Sequence, residues 1–128
     1  TAGYLGTAID LDGTAEYVDI DSIVSFVSND EKGSVCAWTN AGNLNNRAVW
    51  GFTGNNNVSS RTKFMIDGGT NAYRFNLNNG TWVTDIETSN IADINNWNHL
   101  CVVNNGTTSE IYVNGTQSPL NVSSNSDA

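Results

Sequence analysis

Positive charge is scarce in this sequence. Five of the 128 residues are Lys or Arg, against 13 that are Asp or Glu, and the net charge is −8. Seven acidic residues precede Lys32, the first basic residue in the chain. Proteins bind nucleic acids largely by releasing counterions from phosphates with Lys and Arg. The composition therefore predicts no nucleic acid as a partner and makes both nucleic acid and an anionic membrane poor candidates.

Long apolar runs and helical patterns are also missing. No apolar run approaches the ~18 residues that a membrane-spanning helix needs, so we expect no membrane insertion. Over windows of about 11 residues, apolar side chains do not recur at helical spacing, and Gly or Asn interrupts most candidate segments. We therefore predict almost no helix. A hydrophobic share of 38% in 128 residues suits a single domain with one core.

The residue sets of several common chemistries are incomplete. The one His, His99, lacks the partners of a catalytic triad, and no Ser has the flanking Gly residues of a nucleophile elbow. Gly68 and Gly69 are not followed by a helical pattern, which a phosphate-binding loop requires. Two separated Cys and one His do not make the four ligands of a structural zinc site.

Strand patterns are frequent instead. Segments 8–11 and 17–20 alternate apolar and acidic side chains, which predicts two strands with Ile9, Leu11, Val18 and Ile20 on a buried face. Further strands are predicted at 34–39, 48–53, 63–66, 72–77 and 81–86. Segments 100–103 and 110–113 predict a hairpin, followed by a tight turn at Asn114 and Gly115. We expect one β-sandwich over 1–117 and a Ser/Asn-rich loop or frayed end over 118–128.

Three stretches resemble laminin G-like domains. AIDLDGTAEYVDI at 8–20 is similar to their opening strand pair, SVCAWTNAG at 34–42 to their next core strand, and NNWNHLCVVNNGTTSEIYVNGTQ at 95–117 to their Trp, His, hairpin and Asn-Gly signature. The resemblance implies an all-β, antiparallel jelly roll of the concanavalin A-like superfamily, which also includes pentraxins. The family's final strands have no counterpart here, so either the chain is truncated or another strand completes the sandwich.

The resemblance also implies a disulfide. In pentraxins, cysteines at the places that correspond to Cys36 and Cys101 are joined across adjacent strands. Two buried thiols that simply pack well are the alternative. A disulfide fits a domain that works outside the cell or on a virion or cell surface.

Catalysis is tested directly because concanavalin A-like sandwiches include glycoside hydrolases. Their strand motif places Glu, Asp and Glu at alternate positions, so that all three face one cleft. The nearest match here is Val83, Asp85 and Glu87, in which Val83 stands at the place of the nucleophile. We therefore predict that the domain is not an enzyme and that Asp85 and Glu87 are exposed strand residues.

Calcium is the one cofactor that the sequence leaves open. An EF-hand loop is excluded because Ala8 would stand at its first position. Laminin G-like and pentraxin domains hold calcium at a rim of loop carboxylates and carbonyls, and the resemblance makes Asp12 and Asp19 the candidates here. The alternative for both residues is a solvated strand face. The loop that carries an Asp-Asn pair in pentraxins is all amide here, at Asn55, Asn56 and Asn57.

Two functions remain open at this stage. The first is a non-catalytic recognition or adhesion domain that binds a glycan or a surface protein through Asn55, Asn56, Asn57 and Trp82, since amide and aromatic side chains suit sugars. The alternative to sugar binding by Trp82 is a structural role in the core. The second function is structural: the domain decorates a larger extracellular assembly, such as a virion fibre, capsid spike or filament, with neighbouring subunits as its partners.

Overall fold

Antiparallel strands account for most of the structure. The computed structural model describes residues 1–23, 25, 32–54 and 57–125. Its elements are β1 (Ala2–Gly3), β2 (Gly6–Thr7), a 3₁₀ turn (Asp21–Ile23), β3 (Gly33–Thr39), β4 (Arg47–Gly54), β5 (Asn57–Ile66), β6 (Ala72–Asn79), β7 (Trp82–Ile91), β8 (Asn98–Asn104), β9 (Ser109–Val113), β10 (Thr116–Gln117) and β11 (Leu120–Asn125). The predicted all-β, antiparallel fold is confirmed. Within the described part of the chain, no helix is long and apolar enough to span a membrane.

The chain divides into two compact units, Thr1–Glu31 and Lys32–Ala128. The second unit contains a four-stranded sheet in the order β10-β9-β8-β3 and a five-stranded sheet in the order β11-β7-β6-β5-β4. The inward side chains of both sheets meet in one core. The five-stranded sheet contributes Phe64, Ile66, Tyr73, Phe75 and Ile86, and the four-stranded sheet contributes Leu100, Val102 and Ile111. The second unit is therefore a β-sandwich.

The predicted hairpin is present as β8 and β9, and the following turn fixes its end. Asn114 and Gly115 have φ angles of 52° and 80°, which a two-residue hairpin turn requires at both central positions. The Asn114 side chain also serves the neighbouring strand. The His99 backbone N–H donates to its Oδ1 at 2.9 Å, and its Nδ2 donates to Asn98 Oδ1 at 2.9 Å. The sequence pattern was sufficient here because the two strands and the turn follow one another in the chain.

The two strands predicted at 8–11 and 17–20 are wrong. The first unit contains only the short pair β1 and β2, and the side chains of Ile9, Leu11, Val18 and Ile20 are exposed. Alternation fixes which side chains share a face, but a strand also needs a partner for its backbone. Here acidic side chains bind the backbone instead. Asp12 Oδ1 accepts from Thr14 N at 2.7 Å, and Asp19 Oδ1 accepts from Asp21 N at 2.8 Å. These local turns compete with strand formation.

The loop or frayed end expected at 118–128 is wrong for 120–125, which form strand β11, and residues 126–128 lie outside the described residues. Leu120–Asn125 pairs with β7, with Leu120 opposite Thr88 and packed against the core. The polar composition of this segment misled the prediction. β11 is the edge strand of its sheet, where polar side chains are tolerated because one side of the backbone faces solvent. A register shift between Val122 and Ser124 interrupts the pairing.

Candidate functional site

A polar network lies on the outer face of the five-stranded sheet. On β6, Tyr73 and Phe75 point into the core, so Arg74 between them points outwards. Arg74 is paired in register with Glu87 on β7, and its guanidinium reaches Asp85 on the same strand. Strand alternation therefore places Arg74, Asp85 and Glu87 on one surface.

Two carboxylates hold the Arg74 guanidinium. Its Nε donates to Asp85 Oδ1 at 2.8 Å and its Nη2 to Asp85 Oδ2 at 2.7 Å, which is the bidentate geometry of a strong ion pair. Its Nη1 donates to Asp67 Oδ2 at 2.7 Å. The hydrogen bond to Asp85 is the main reason that the pKa of Arg74 rises above its usual value. The guanidinium is fixed as a cation between two anions.

The β5–β6 turn positions Asp67. Its backbone N–H donates to the Ala72 carbonyl at 2.9 Å, and Asn71, with a φ of 61°, donates its N–H to the Asp67 carbonyl at 2.7 Å. Asp67 Oδ1 accepts from the Gly69 N–H at 2.7 Å while Oδ2 binds Arg74. The hydrogen bonds from Arg74 and then Gly69 lower the pKa of Asp67. The turn therefore presents an ionised carboxylate to Arg74.

Asp85 is more enclosed than the sequence indicated. Asn76 Nδ2 donates to Asp85 Oδ1 at 2.7 Å in addition to the two bonds from Arg74. The Asp85 side chain is only 12% exposed. The prediction of Asp85 as an exposed strand residue is wrong, because the cross-strand neighbours Arg74 and Asn76 cover it. Glu87, two residues further along β7, is half-buried.

An open cavity of about 300 Å³ lies beside this network. It is lined by Thr70, Arg74, Asp85, Glu87, Asn121, Val122 and Ser123. The volume is at the lower limit of the roughly 300–1,000 Å³ that small-molecule sites occupy. Asn121 comes from β11, where its Nδ2 lies 3.5 Å from Glu87 Oε1 and its Oδ1 accepts from Ser89 Oγ at 3.3 Å. The site was not predicted from the sequence, because Asn121 lies in a segment whose polar composition indicated a loop.

Trp82 lies at the start of β7, outside the lining of this cavity. Its side chain is 46% exposed, so Trp82 is not a core residue. The Arg61 guanidinium carbon lies 5.4 Å from the centre of its ring, a cation–π distance. Of the other predicted ligand-binding residues, Asn55 and Asn56 lie outside the described residues. Asn57 is the first residue of β5, and its side chain also lies outside the described part of the structure.

The proposed calcium ligands Asp12 and Asp19 lie in the first unit. Besides the bond from Thr14, the backbone N–H of Asp12 donates to Glu16 Oε2 at 2.6 Å. Among the described residues, neither Asp12 nor Asp19 falls within a cluster of three or more metal-ligating side chains. Both carboxylates serve local turns in this structure.

The implied disulfide is confirmed on the outer face of the other sheet. Cys36 on β3 and Cys101 on β8 are directly opposite and joined through their sulfur atoms. His99 Nε2 lies 3.9 Å from Cys101 Sγ, and the His99 and Trp38 ring centres are 5.0 Å apart. Cys36, His99 and Cys101 form a cluster with metal-ligand spacing. Because the two sulfurs are bonded to each other, they offer no thiolate to a metal.

The family model that matches this chain is the concanavalin A-like lectin/glucanases superfamily, in its laminin G-like form, over residues 12–127. The chain belongs to this superfamily, and the matched range includes β11. No curated protein matches the chain. Domains of this kind bind carbohydrates or proteins in general, and laminin G-like domains are generally non-catalytic.

Proposed function

We propose that this chain is a non-catalytic recognition or adhesion domain that works outside the cell and binds carbohydrate in the cavity beside Arg74. The observation that carries the proposal is the cavity itself. It combines the Glu87 carboxylate, the Asn121 amide and the Thr70 hydroxyl within a volume of about 300 Å³. Sugar hydroxyls both donate and accept hydrogen bonds, so a mixed polar lining of this kind suits them.

Preorganisation supports binding at this face. The Asp67–Arg74–Asp85 network is held by charge-assisted hydrogen bonds between 2.7 and 2.8 Å long. A ligand that binds beside it does not have to order these side chains. The entropic cost of association is smaller at a site whose walls are already fixed.

The state of the carboxylates supports a non-catalytic role. Glycoside hydrolysis needs two carboxyl groups that are free to exchange a proton or attack the sugar. Asp85 already accepts hydrogen bonds from Arg74 and Asn76. Val83, at the place of the first acid in the hydrolase motif, is apolar and only 6% exposed. One carboxylate, Glu87, remains available on this strand, and the two-carboxylate mechanism needs a second.

The disulfide supports a location outside the cell. Cys36 is exposed at the surface of the four-stranded sheet, where cellular reductants would reach it. Such a bond persists in oxidising compartments and on virion or cell surfaces.

A structural role in a larger assembly is the second candidate, and edge strand β3 favours it. Val35 on β3 is opposite the buried Val102, yet it is 39% exposed. Apolar surface at a sheet edge can be covered by a strand or side chains from a neighbouring subunit. A concentration-dependent rise in molecular mass, measured by light scattering, would favour this role.

A glycan array tests the primary proposal. We expect the isolated domain to bind a restricted set of glycans, and Glu87→Gln and Asn121→Ala to reduce that binding at least tenfold. Glu110→Gln, the same chemical change on β9 of the other sheet, is the matched control and should bind normally. Repeating the array with calcium and with a chelator tests the candidate ligands Asp12 and Asp19. Absence of binding under both conditions would contradict the carbohydrate proposal.

A further inference from the structure

We infer that the cavity beside Arg74 selects uncharged saccharides and rejects saccharides that carry a carboxylate or a sulfate. This inference rests on the proposed carbohydrate site and names the class of sugar that the site takes. An Arg in a polar sugar site is commonly an anchor for anions, because its guanidinium matches carboxylate and sulfate geometry. The carboxylates that surround Arg74 disfavour that role here.

Each nitrogen of the Arg74 guanidinium already donates to a carboxylate of the protein. Nε and Nη2 bind Asp85, and Nη1 binds Asp67, at 2.7 to 2.8 Å. Three of the five N–H groups are therefore engaged, and the two carboxylates already neutralise the positive charge that would attract an anionic ligand. The charge of Arg74 is therefore balanced by carboxylates of the protein itself.

The charge balance of the site disfavours an anion further. Asp67, Asp85 and Glu87 supply three carboxylates against the one guanidinium of Arg74. An acidic sugar would enter a region of net negative charge, where like charges repel at short range. A neutral sugar meets no such repulsion.

Glu87 supplies the complementary attraction. Its Oε1 accepts from Asn121 Nδ2 at 3.5 Å, which is at the long limit of a hydrogen bond. An ionised carboxylate has about four lone-pair sites, so Glu87 retains acceptor capacity that hydroxyl groups can fill. A neutral sugar offers several such hydroxyl donors.

The other basic residues on this face do not line the cavity. Arg61 and Lys63 lie on β5 and face the same side of the sheet, but neither lines the cavity. The Arg61 guanidinium lies over the Trp82 ring. Lys63 is paired in register with Asn76, one row away from Arg74.

The test uses an array of matched pairs, in which each neutral oligosaccharide is printed beside its 6-O-sulfated and its sialylated counterpart. We expect the wild-type domain to bind the neutral member at least tenfold more tightly. Asp85→Asn leaves the guanidinium underused, so the ratio should shift at least tenfold towards the sulfated member. Asp67→Asn is the second variant, because it lies in a turn and should fold even if Asp85→Asn does not. Glu110→Gln should leave the ratio unchanged.

The outcomes separate this inference from the function on which it rests. Wild-type binding of acidic members as tightly as neutral ones would overturn the inference and leave carbohydrate recognition intact. An unchanged ratio in the well-folded Asp67→Asn variant would also count against it, since the occupied guanidinium would then not determine selectivity. Absence of binding to any pair would overturn the carbohydrate proposal and the inference together.

Discussion

The outer faces of the two sheets are crosslinked in different ways. On the four-stranded sheet, the Cys36–Cys101 disulfide joins β3 to β8. On the five-stranded sheet, Arg74 joins β6 to β7 through Asp85, and to the β5–β6 turn through Asp67. The covalent link is indifferent to pH and salt, whereas the ionic link depends on the charge of every member. The ionic link should therefore weaken at low pH and high salt, and the disulfide should not.

Removal of the covalent link should have the largest effect on stability. The bond joins residues that are 65 apart in sequence. A crosslink that closes a loop of that length lowers the entropy of the unfolded chain, which raises the free energy of unfolding by about 4 kcal/mol. We expect the Cys36→Ala, Cys101→Ala double variant to lose about that much free energy of unfolding in a urea titration.

Reduction of the wild-type protein is the control for this variant. A dithiol reductant should lower stability by a similar amount, and high salt should leave the difference between oxidised and reduced protein unchanged. A loss below about 1 kcal/mol in both experiments would contradict the assigned role of the disulfide.

Removal of the central carboxylate should have the next largest effect. Asp85→Asn deletes the bidentate partner of Arg74 and leaves the guanidinium with Asp67 alone. Loss of hydrogen bonds to charged groups at a site that is 12% exposed should cost about 2–3 kcal/mol in the free energy of unfolding at neutral pH. Glu110→Gln on the other sheet should change stability by less than about 0.5 kcal/mol. Equal losses of stability in the two variants would contradict a specific contribution of the ionic network to the free energy of unfolding.

Acid should weaken the ionic link and leave the disulfide intact. The pKa of Asp67 lies below its usual value of 3.8 in the folded protein because of Arg74 and Gly69. The folded protein therefore binds this proton less tightly than the unfolded chain does. The resulting stability is fully present above pH 3.8 and is lost as the pH falls through the lower folded pKa.

Asp67→Asn should remove this acid dependence. The variant is expected to be less stable than wild type by about 1 kcal/mol at neutral pH, and the difference should shrink below pH 3.8. Urea titrations across this range measure it. A difference that stays constant with pH would contradict the ionic contribution of Asp67.

The smallest effect should be a shift of one titration on the disulfide face. Tyr112 Oη donates to Glu110 Oε2 at 2.8 Å, and this hydrogen bond raises the pKa of Tyr112 above 10.0. Glu110→Gln should bring the pKa of Tyr112 back towards its usual value, as measured by NMR titration of the ring. Tyr73, whose pKa is raised mainly by burial, should not respond. A parallel shift of both rings would indicate a change of fold instead.

Local patterns were predictable from the sequence, and distant pairings were not. The β8–β9 hairpin and the Asn114–Gly115 turn follow from adjacent residues. The disulfide followed from a resemblance that carries long-range information. Alternation in the first unit suggested strands, but it could not show that Asp12 and Asp19 would bind their own backbone.

The candidate site was predicted only in fragments. The alternation of Asp85 and Glu87 on one face was visible in the sequence. The partnership of Asp85 with Arg74 was not, because it depends on the register between β6 and β7. The contribution of Asn121 was hidden by the polar composition of β11. A site made from several strands is therefore harder to predict from sequence than a hairpin made from two.

The pairing of β11 with β7 also has a consequence for the order in which the cavity forms. The bonds of Arg74 to Asp67 and Asp85 span 7 and 11 residues, whereas Asn121 and Glu87 are 34 residues apart. Short loops close at lower entropic cost than long ones, so contacts of low sequence separation generally form first. We expect the contacts of Arg74 with Asp67 and Asp85 to form together with the β5–β6–β7 meander. The side of the cavity that Asn121 lines should form later. During refolding, the pairing of β11 with β7 should then lag behind formation of the meander.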